Sequence, residues 1–227
     1  MDQVMSQGRY RLSPQMFSGI LPLGLICVLL IGNSGCVGLL AVLLQKGDFA
    51  PARFKGLSEQ KVAVLCVAGP SFYAENSTSR DLAQKVEALI LANGEEVKII
   101  PQQKIDDWKD RSGWDNMDYR EAGKALKADM VVAIDLARFE IQPNPGVYKG
   151  SAEYVVSVYD INHDGKLVFQ DTPSQLEFPV NGLGSSTQSE REFRNSFLRL
   201  LSHRIARNFY KYNVREDLML DETFVAN

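Results

Sequence analysis

Hydrophobic residues fall in short runs separated by amphipathic segments from Lys61 onward. The run KVAVLCVAG begins at Lys61 and stops at Gly69-Pro70, which predicts a buried central strand. The segment after it repeats apolar residues at helical spacing, at Leu82, Val86, Leu89 and Ile90. This spacing predicts an amphipathic helix, and Asn93-Gly94 supplies its C-terminal cap.

Further apolar runs predict strands at 95–100, 128–141, 150–161 and 166–171, with a sixth at 174–180. Asp118 and Glu121 form a capping pair that opens a helix before the strand at 128–141. A long amphipathic helix is predicted from Ser189 to Tyr212. Without the sixth strand, the element order is β-α-β-α-β-β-β-α, and it predicts an α/β (α+β) fold, a single mixed sheet with helices packed on it and a long C-terminal helix.

The same pattern divides the chain into four parts. Residues 1–35 are a signal peptide or the start of a transmembrane anchor, and residues 36–59 a membrane-proximal segment and linker. Residues 60–215 form a single α/β domain, large enough for one well-buried core. Residues 216–227 are predicted to be an acidic flexible tail.

The N-terminal segment has the layout of a secretory signal. Arg9 and Arg11 precede an apolar run from Ile20 to Ile31, and the small residues Gly32-Asn33-Ser34-Gly35 follow. Asn33 to Cys36 resembles the lipobox of bacterial lipoproteins, in which Cys36 is the residue that is acylated; Asn33 stands where that motif usually has Leu. The alternative is an uncleaved transmembrane helix, because Ile20 to Leu44 is long enough to span a bilayer of roughly 30 Å. Both interpretations tether the domain to a membrane, with the domain outside the cytoplasm.

Charge and cysteine content exclude several classes of protein. A formal net charge of -3 argues against a nucleic-acid partner, which needs a basic surface. Cys27 and Cys36 lie in the apolar N-terminal segment, so Cys66 is the one cysteine of the domain. It sits in the predicted central strand, where it packs as a small hydrophobe. Neither a disulfide framework nor a zinc site is predicted.

The order of elements resembles a known group of envelope proteins. KVAVLCV, EEVKII, GKALKADMVVAIDLARFEI and YVVSVYDINHDGKLVF follow the order of the small α/β domain in the TolB N-terminal region and in CsgG-type and LpoB-type envelope lipoproteins. Two short features match: the step Ala128-Asp129 into a strand, and a hairpin from Asp160 to Gly165. The resemblance covers about two-thirds of the chain and implies a fold, not a function.

Calcium is the one metal for which the sequence offers candidate ligands. In DINHDG, the residues Asp160, Asn162 and Asp164 stand at positions 1, 3 and 5 of a calcium-loop pattern. Asp171 stands at position 12, but a strand over 166–170 places it at least roughly 15 Å along the chain from Gly165 and removes it from the ligand set. The alternative is a hairpin turn in which Asp164-Gly165 supplies the positive φ. His163 then faces solvent.

Catalytic patterns are weaker. His203 lies beside Arg204 in the predicted last helix, a position typical of a polar face. Asp106, Asp107 and Asp110 surround Trp108 in a short solvated helix and are unspecific as acid or base. No cofactor is predicted, and the chain is interpreted as non-enzymatic.

The functional prediction is a membrane-tethered envelope lipoprotein in the periplasm that binds another envelope protein or self-assembles. Three aromatic residues are candidates for that interface: Phe209, Tyr210 and Tyr212. The alternative is that they are buried in the hydrophobic core. Two other functions stay open. One is a single-span membrane protein with an extracytoplasmic ligand- or calcium-binding domain, and the other is a hydrolase with an unrecognised cleft.

Overall fold

A computed structural model describes residues 49–68, 76–112, 118–144, 147–179, 189–215 and 219. All of them belong to one compact unit, Asp48–Asn227. The unit that precedes it, Met1–Gly47, lies outside the described residues, and so does Cys36.

The described residues form strands and helices in this order: β1 (Phe49–Ala50), β2 (Lys61–Ala68), α1 (Asn76–Asn93), β3 (Lys98–Ile99), α2 (Gln102–Ser112), α3 (Tyr119–Leu126), β4 (Met130–Asn144), β5 (Val147–Asp160), β6 (Lys166–Gln170), β7 (Ser174–Phe178), α4 (Glu190–Ala206) and β8 (Tyr212–Asn213). The α/β (α+β) class and the mixed sheet are confirmed. The predicted strand at 174–180 is β7.

The main sheet has the strand order β3-β2-β4-β5-β6, with β7 also paired to β5. Strands β3 and β4 run parallel to β2, whereas β5 is antiparallel to β4. The 14-residue strand β5 carries two shorter strands on its other edge, β6 along its C-terminal half and β7 along its N-terminal half. A central place for β2 follows from its continuous apolar sequence, because both of its faces are covered.

Side chains of β2 alternate between two cores. Val64 and Cys66 pack with α1 and α4, in the larger cluster that also holds Phe193 and Phe197. Ala63 and Leu65 pack with α2 and α3, in a smaller cluster that includes Ile105. The period of two along a strand is what sends neighbouring residues to opposite helical layers.

The last helix begins where the sequence predicts and ends earlier. Ser189 caps it, with its hydroxyl accepting from the backbone N–H of Glu192 while the Glu192 carboxylate accepts from Ser189. It ends at Ala206, not at Tyr212, because the chain then turns to bury Phe209 and pairs Tyr212 with Ala50. The prediction of one continuous helix to Tyr212 was therefore wrong over its last turns.

Part of the predicted linker is folded. From Phe49 onward the chain packs on the domain: Leu57 is buried, and the ring of Phe54 lies 5.5 Å from that of Phe169. The segment 49–59 therefore belongs to the core structure, although the sequence placed it in the linker 36–59. Of the predicted tail 216–227, only Met219 is described, and it is exposed.

Strands β4 and β5 extend well beyond β2. Ala68, the last residue of β2, pairs with Leu136, but β4 continues to Asn144. A β-bulge between Leu136 and Arg138 marks the start of this extension. Strand β7 completes it as a third strand, so three strands project past the end of the parallel part of the sheet.

Candidate functional site

The predicted calcium turn lies between β5 and β6, in a hairpin. Asp164 and Gly165 have φ of 58° and 71°, the left-handed values that an Asp-Gly turn supplies. A Cβ added at Gly165 would also lie 2.7 Å from the side chain of Arg120. Both the positive φ and this close approach therefore favour glycine here. The predicted hairpin turn is thus the local structure.

The three candidate ligands do not converge. The Asp160 carboxylate accepts from the backbone N–H of His163 at 3.2 Å and contacts its exposed ring at 2.7 Å. The Asn162 amide donates to Asp129 at 3.2 Å. Asp164 faces two cations, Arg120 at 3.3 Å and Lys124 at 3.2 Å.

Calcium requires six to eight oxygen ligands around one point, and this turn does not fit that requirement. The hydrogen bond from Lys124 and the charges of Lys124 and Arg120 lower the pKa of Asp164, so its charged form is already paired with two cations of the protein. Among the described residues, no group of three or more His, Cys, Asp or Glu side chains is placed to hold a metal ion. Asp171 is buried elsewhere and accepts from Arg53 at 2.7 Å.

A polar cleft of about 780 Å³ lies at the C-terminal end of β2, between the first turns of α1 and helix α2. This is the end of a parallel strand flanked by β3 and β4, the place where open α/β sheets bind ligands. The lining includes Cys66, Ser79, Arg80, Asp106 and Lys109. Burial raises the pKa of the Cys66 thiol to about 12, which disfavours the reactive thiolate form.

Beside the cleft, a hydrogen-bonded pair joins α1 to α2. Gln102 donates from one amide nitrogen to the carbonyl of Val64 at 2.7 Å and to the Glu87 carboxylate at 2.6 Å. Burial raises the pKa of Glu87 to about 7, although the Gln102 hydrogen bond acts in the opposite direction. Arg80 and Asp106 form an ion pair at 2.9 Å nearby that is not aligned as a hydrogen bond. Of the three predicted carboxylates, Asp106 and Asp110 line the cleft, and Asp107 lines the adjoining groove between α1 and α2.

The three-stranded extension has two unlike sides. On the side of α4 it is closely packed: Phe139 stacks on Phe197 at 5.1 Å, and Phe178 on Phe197 at 5.9 Å. The opposite side, called here the bare face, carries exposed and half-exposed polar side chains. Its members are Arg138, Glu140 and Gln142 of β4, Lys149, Ser151 and Glu153 of β5, and Gln175 and Glu177 of β7.

Strand register arranges the bare face in rows. Arg138 lies opposite Glu153, with their charged groups 3.3 Å apart. In the next row, Ser151 lies between Glu140 and Glu177. The small serine leaves a depression between two carboxylates, in a shallow groove of about 340 Å³. This surface was missed at the level of sequence, although the alternation of Arg138, Glu140 and Gln142 with apolar neighbours signals a strand with one solvated side.

The two ends of the described chain meet in a second surface. We define the terminal clasp as residues 49–57 and 207–214, which contain the antiparallel pair of β1 and β8. The Phe54 N–H donates to the carbonyl of Asn208 at 2.9 Å, and Arg53 bonds to Asp171 and Asn208. The predicted interface residues Phe209 and Tyr210 are buried here, which gives them a place in the core.

Two further predictions concern residues away from these surfaces. His203 is half-buried in the last turn of α4, outside the cleft lining. Within the described part of the chain, no helix is long and apolar enough to cross a membrane. The predicted anchor between Ile20 and Leu44 lies outside that part.

Neither a protein-family model nor a curated protein matches the chain. Several solved structures are similar in fold. A PelC dodecamer from Paraburkholderia phytofirmans is 10% identical with a TM-score of 0.45, over 71% of this chain and 96% of that one. Lipoprotein GNA1162 from Neisseria meningitidis is 12% identical with a TM-score of 0.41, over 64% and 97% of the two chains.

The LpoB C-terminal domain from Salmonella enterica is 13% identical with a TM-score of 0.34, over 53% of this chain and 85% of that one. These likenesses concern the fold alone and assign no function.

Proposed function

We propose that this protein is a membrane-tethered envelope lipoprotein, acylated at Cys36, whose α/β domain binds another envelope protein through the bare face. The domain acts by binding and not by catalysis. In support of this, burial disfavours the thiolate form of Cys66 in the polar cleft, and two carboxylates there, those of Glu87 and Asp106, are engaged with Gln102 and Arg80.

The tether is supported by the sequence before the domain. The apolar run ends at Leu44, and the folded domain begins at Phe49. Four residues between them leave no room for a further domain. A folded unit that follows so closely on an apolar segment works at a membrane surface.

The bare face is the single observation that carries the binding proposal. Its reverse side is filled by aromatic rings from β4, β7 and α4, so its backbone is held rigidly. A rigid surface that loses little entropy on association is suited to recognition. The depression over Ser151, flanked by Glu140 and Glu177, fits a basic side chain of the partner.

Charge also favours a different protein over a second copy as the partner. If two copies stacked symmetrically about Ser151, Glu140 and Glu177 of one copy would meet the same carboxylates of the other. Like charges placed opposite each other are destabilising. A partner that carries Lys or Arg at this point has no such penalty.

The interface is tested with a photoreactive amino acid in the full-length chain, in native membranes. Placed at Gln142 or Gln175 on the bare face, it is expected to give one adduct of defined mass. Placed at Ala88, an exposed position on α1, it is expected to give none. Glu140→Lys with Glu177→Lys should reduce the adduct by about tenfold, which corresponds to ~1.4 kcal/mol. Equal adducts at all three positions, or an adduct of twice the chain mass, would contradict the proposal.

The anchor is tested separately by intact mass of the membrane-extracted protein. The chain is expected to begin at Cys36 and to carry added acyl mass, and Cys36→Ala should abolish both changes. A full-length, unmodified chain in the membrane fraction would remove the lipoprotein and leave the single-span alternative.

A further inference from the structure

The terminal clasp presents large apolar side chains to solvent. Phe49 is 52% exposed and Val214 is 38% exposed. Val214 directly follows Asn213, the residue that pairs with Phe49 between β1 and β8. Two exposed apolar residues from distant parts of the sequence are thus neighbours along the backbone where β1 meets β8.

One basic side chain lies close to Phe49, and a second is exposed in the same segment of the chain. The Lys211 amine is 4.6 Å from the centroid of the Phe49 ring, and Lys55 is exposed in the same segment. One acidic residue, Glu95, lines the groove that Lys55 and Lys211 share. An aromatic residue with flanking lysines is the combination that settles at the boundary of headgroups and acyl chains.

The length of the chain before β1 fixes how far this surface can be from the bilayer. Only residues 45–48 separate Leu44, where the apolar run ends, from Phe49. The chain from Leu44 to Phe49 spans at most roughly 17 Å when it is fully extended. The limit holds for an uncleaved helix. With an acylated Cys36 it holds when the apolar residues 37–44 also lie at the bilayer surface, and the 13 residues from Cys36 to Phe49 span at most roughly 44 Å.

We propose that the terminal clasp is a membrane-contact surface, in which Phe49 and Val214 enter the headgroup region and Lys55 and Lys211 meet anionic lipid headgroups. This inference rests on the proposed tether. It gives the domain a fixed orientation, because β4 begins near the clasp end of the sheet and runs to the bare face at the other end. The bare face then points away from the anchoring membrane.

The test uses the full-length chain in vesicles of phosphatidylethanolamine and phosphatidylglycerol that contain a photoactivatable phospholipid. Flotation reports the tether, and mass spectrometry of labelled peptides reports the contact. Lipid label is expected on peptides that contain 49–55 and 211–214, about tenfold above the peptide that contains 138–142 on the bare face. In vesicles of phosphatidylcholine alone, Lys55→Gln with Lys211→Gln should leave the labelling unchanged, whereas in anionic vesicles it should lower it.

The matched variants are Phe49→Ser with Val214→Ser, and Leu167→Ser as control, since Leu167 is 44% exposed on β6. The first pair should lower clasp labelling about fivefold with unchanged flotation and melting temperature, and the control should not. A chain that does not float refutes the tether itself. A chain that floats but is labelled evenly, or mainly at 138–142, overturns the membrane contact alone.

Discussion

The two sides of the three-stranded extension differ in what their residues do for the protein. Toward α4, Phe139 and Phe178 stack against Phe197 and exclude water. On the bare face, one residue away along each strand, Glu140 and Glu177 stand in solvent. The same backbone thus packs against the core on one side and presents polar side chains to solvent on the other. Changes on the two sides should therefore have separable effects.

Removing an aromatic ring from the packed side should have the largest effect. Phe197→Ala is expected to lower the free energy of unfolding by about 3–5 kcal/mol, because Phe197 is fully buried between two other rings. Gln142→Ala on the bare face should change it by less than about 0.5 kcal/mol. Urea denaturation measures both. Similar losses for the two variants would show that the bare face is also packed.

Adjacent positions of β5 sharpen the comparison further. A Cβ at Gly150 would lie 2.7 Å from the Phe197 ring, so Gly150→Val should cost about 2–3 kcal/mol of unfolding free energy. Ser151 faces the other side, and Ser151→Val should be within about 0.5 kcal/mol of the parent, since valine favours strands. Thermal melts of the two variants check this. A tolerated Gly150→Val would mean that α4 is not held tightly against β5.

Carboxylates show the same contrast between burial and solvation. Glu87 is buried between α1 and α2, and burial raises its pKa to about 7 from 4.5. The folded state therefore binds the Glu87 proton more tightly, and its stabilising contribution, complete below pH 4.5, is lost as pH rises through 7. Glu87→Gln should match the parent near pH 4.5 and exceed it by about 1–2 kcal/mol at pH 8. Chemical denaturation of the variant and the parent at the two pH values measures this. If the two proteins differ by the same free energy of unfolding at both pH values, the Glu87 carboxylate is solvated and not buried.

The hairpin turn at the other end of β5 should give the smallest effect. Because Asp164 is engaged by Arg120 and Lys124, calcium should leave the melting temperature of the full chain unchanged relative to chelator. Asp164→Asn is the control, and it should be equally indifferent to calcium. A rise in melting temperature with calcium that Asp164→Asn removes would restore the metal site.

Local pattern was sufficient for most elements of the fold. The apolar run at Lys61 predicted β2, and the spacing of Leu82, Val86 and Ile90 predicted α1, because burial imposes the period of the element on the sequence. The end of α4 was not predictable in this way. Aromatic residues continue to Tyr212, and only the packing of Phe209 on Phe169 and the pairing of Tyr212 with Ala50 turn the chain out of the helix.

Candidate sites were less accessible from sequence. DINHDG contains oxygen ligands at calcium spacing, but the residues that pair with Asp164, Arg120 and Lys124, come from a helix about 40 residues earlier. The bare face could not be predicted without the register of β4, β5 and β7, because the register decides which charged residues lie next to each other. The terminal clasp could not be predicted either, because it depends on the pairing of Phe49 with Asn213, which are far apart in the sequence.

By itself, the sequence determined most of the elements, the α/β class and the apolar N-terminal segment, because these depend on near neighbours in the chain. Tertiary structure decided which side of the long hairpin is covered, where Glu87 is buried and which exposed residues stand together. Those properties depend on contacts between residues far apart in sequence, and no local pattern records them.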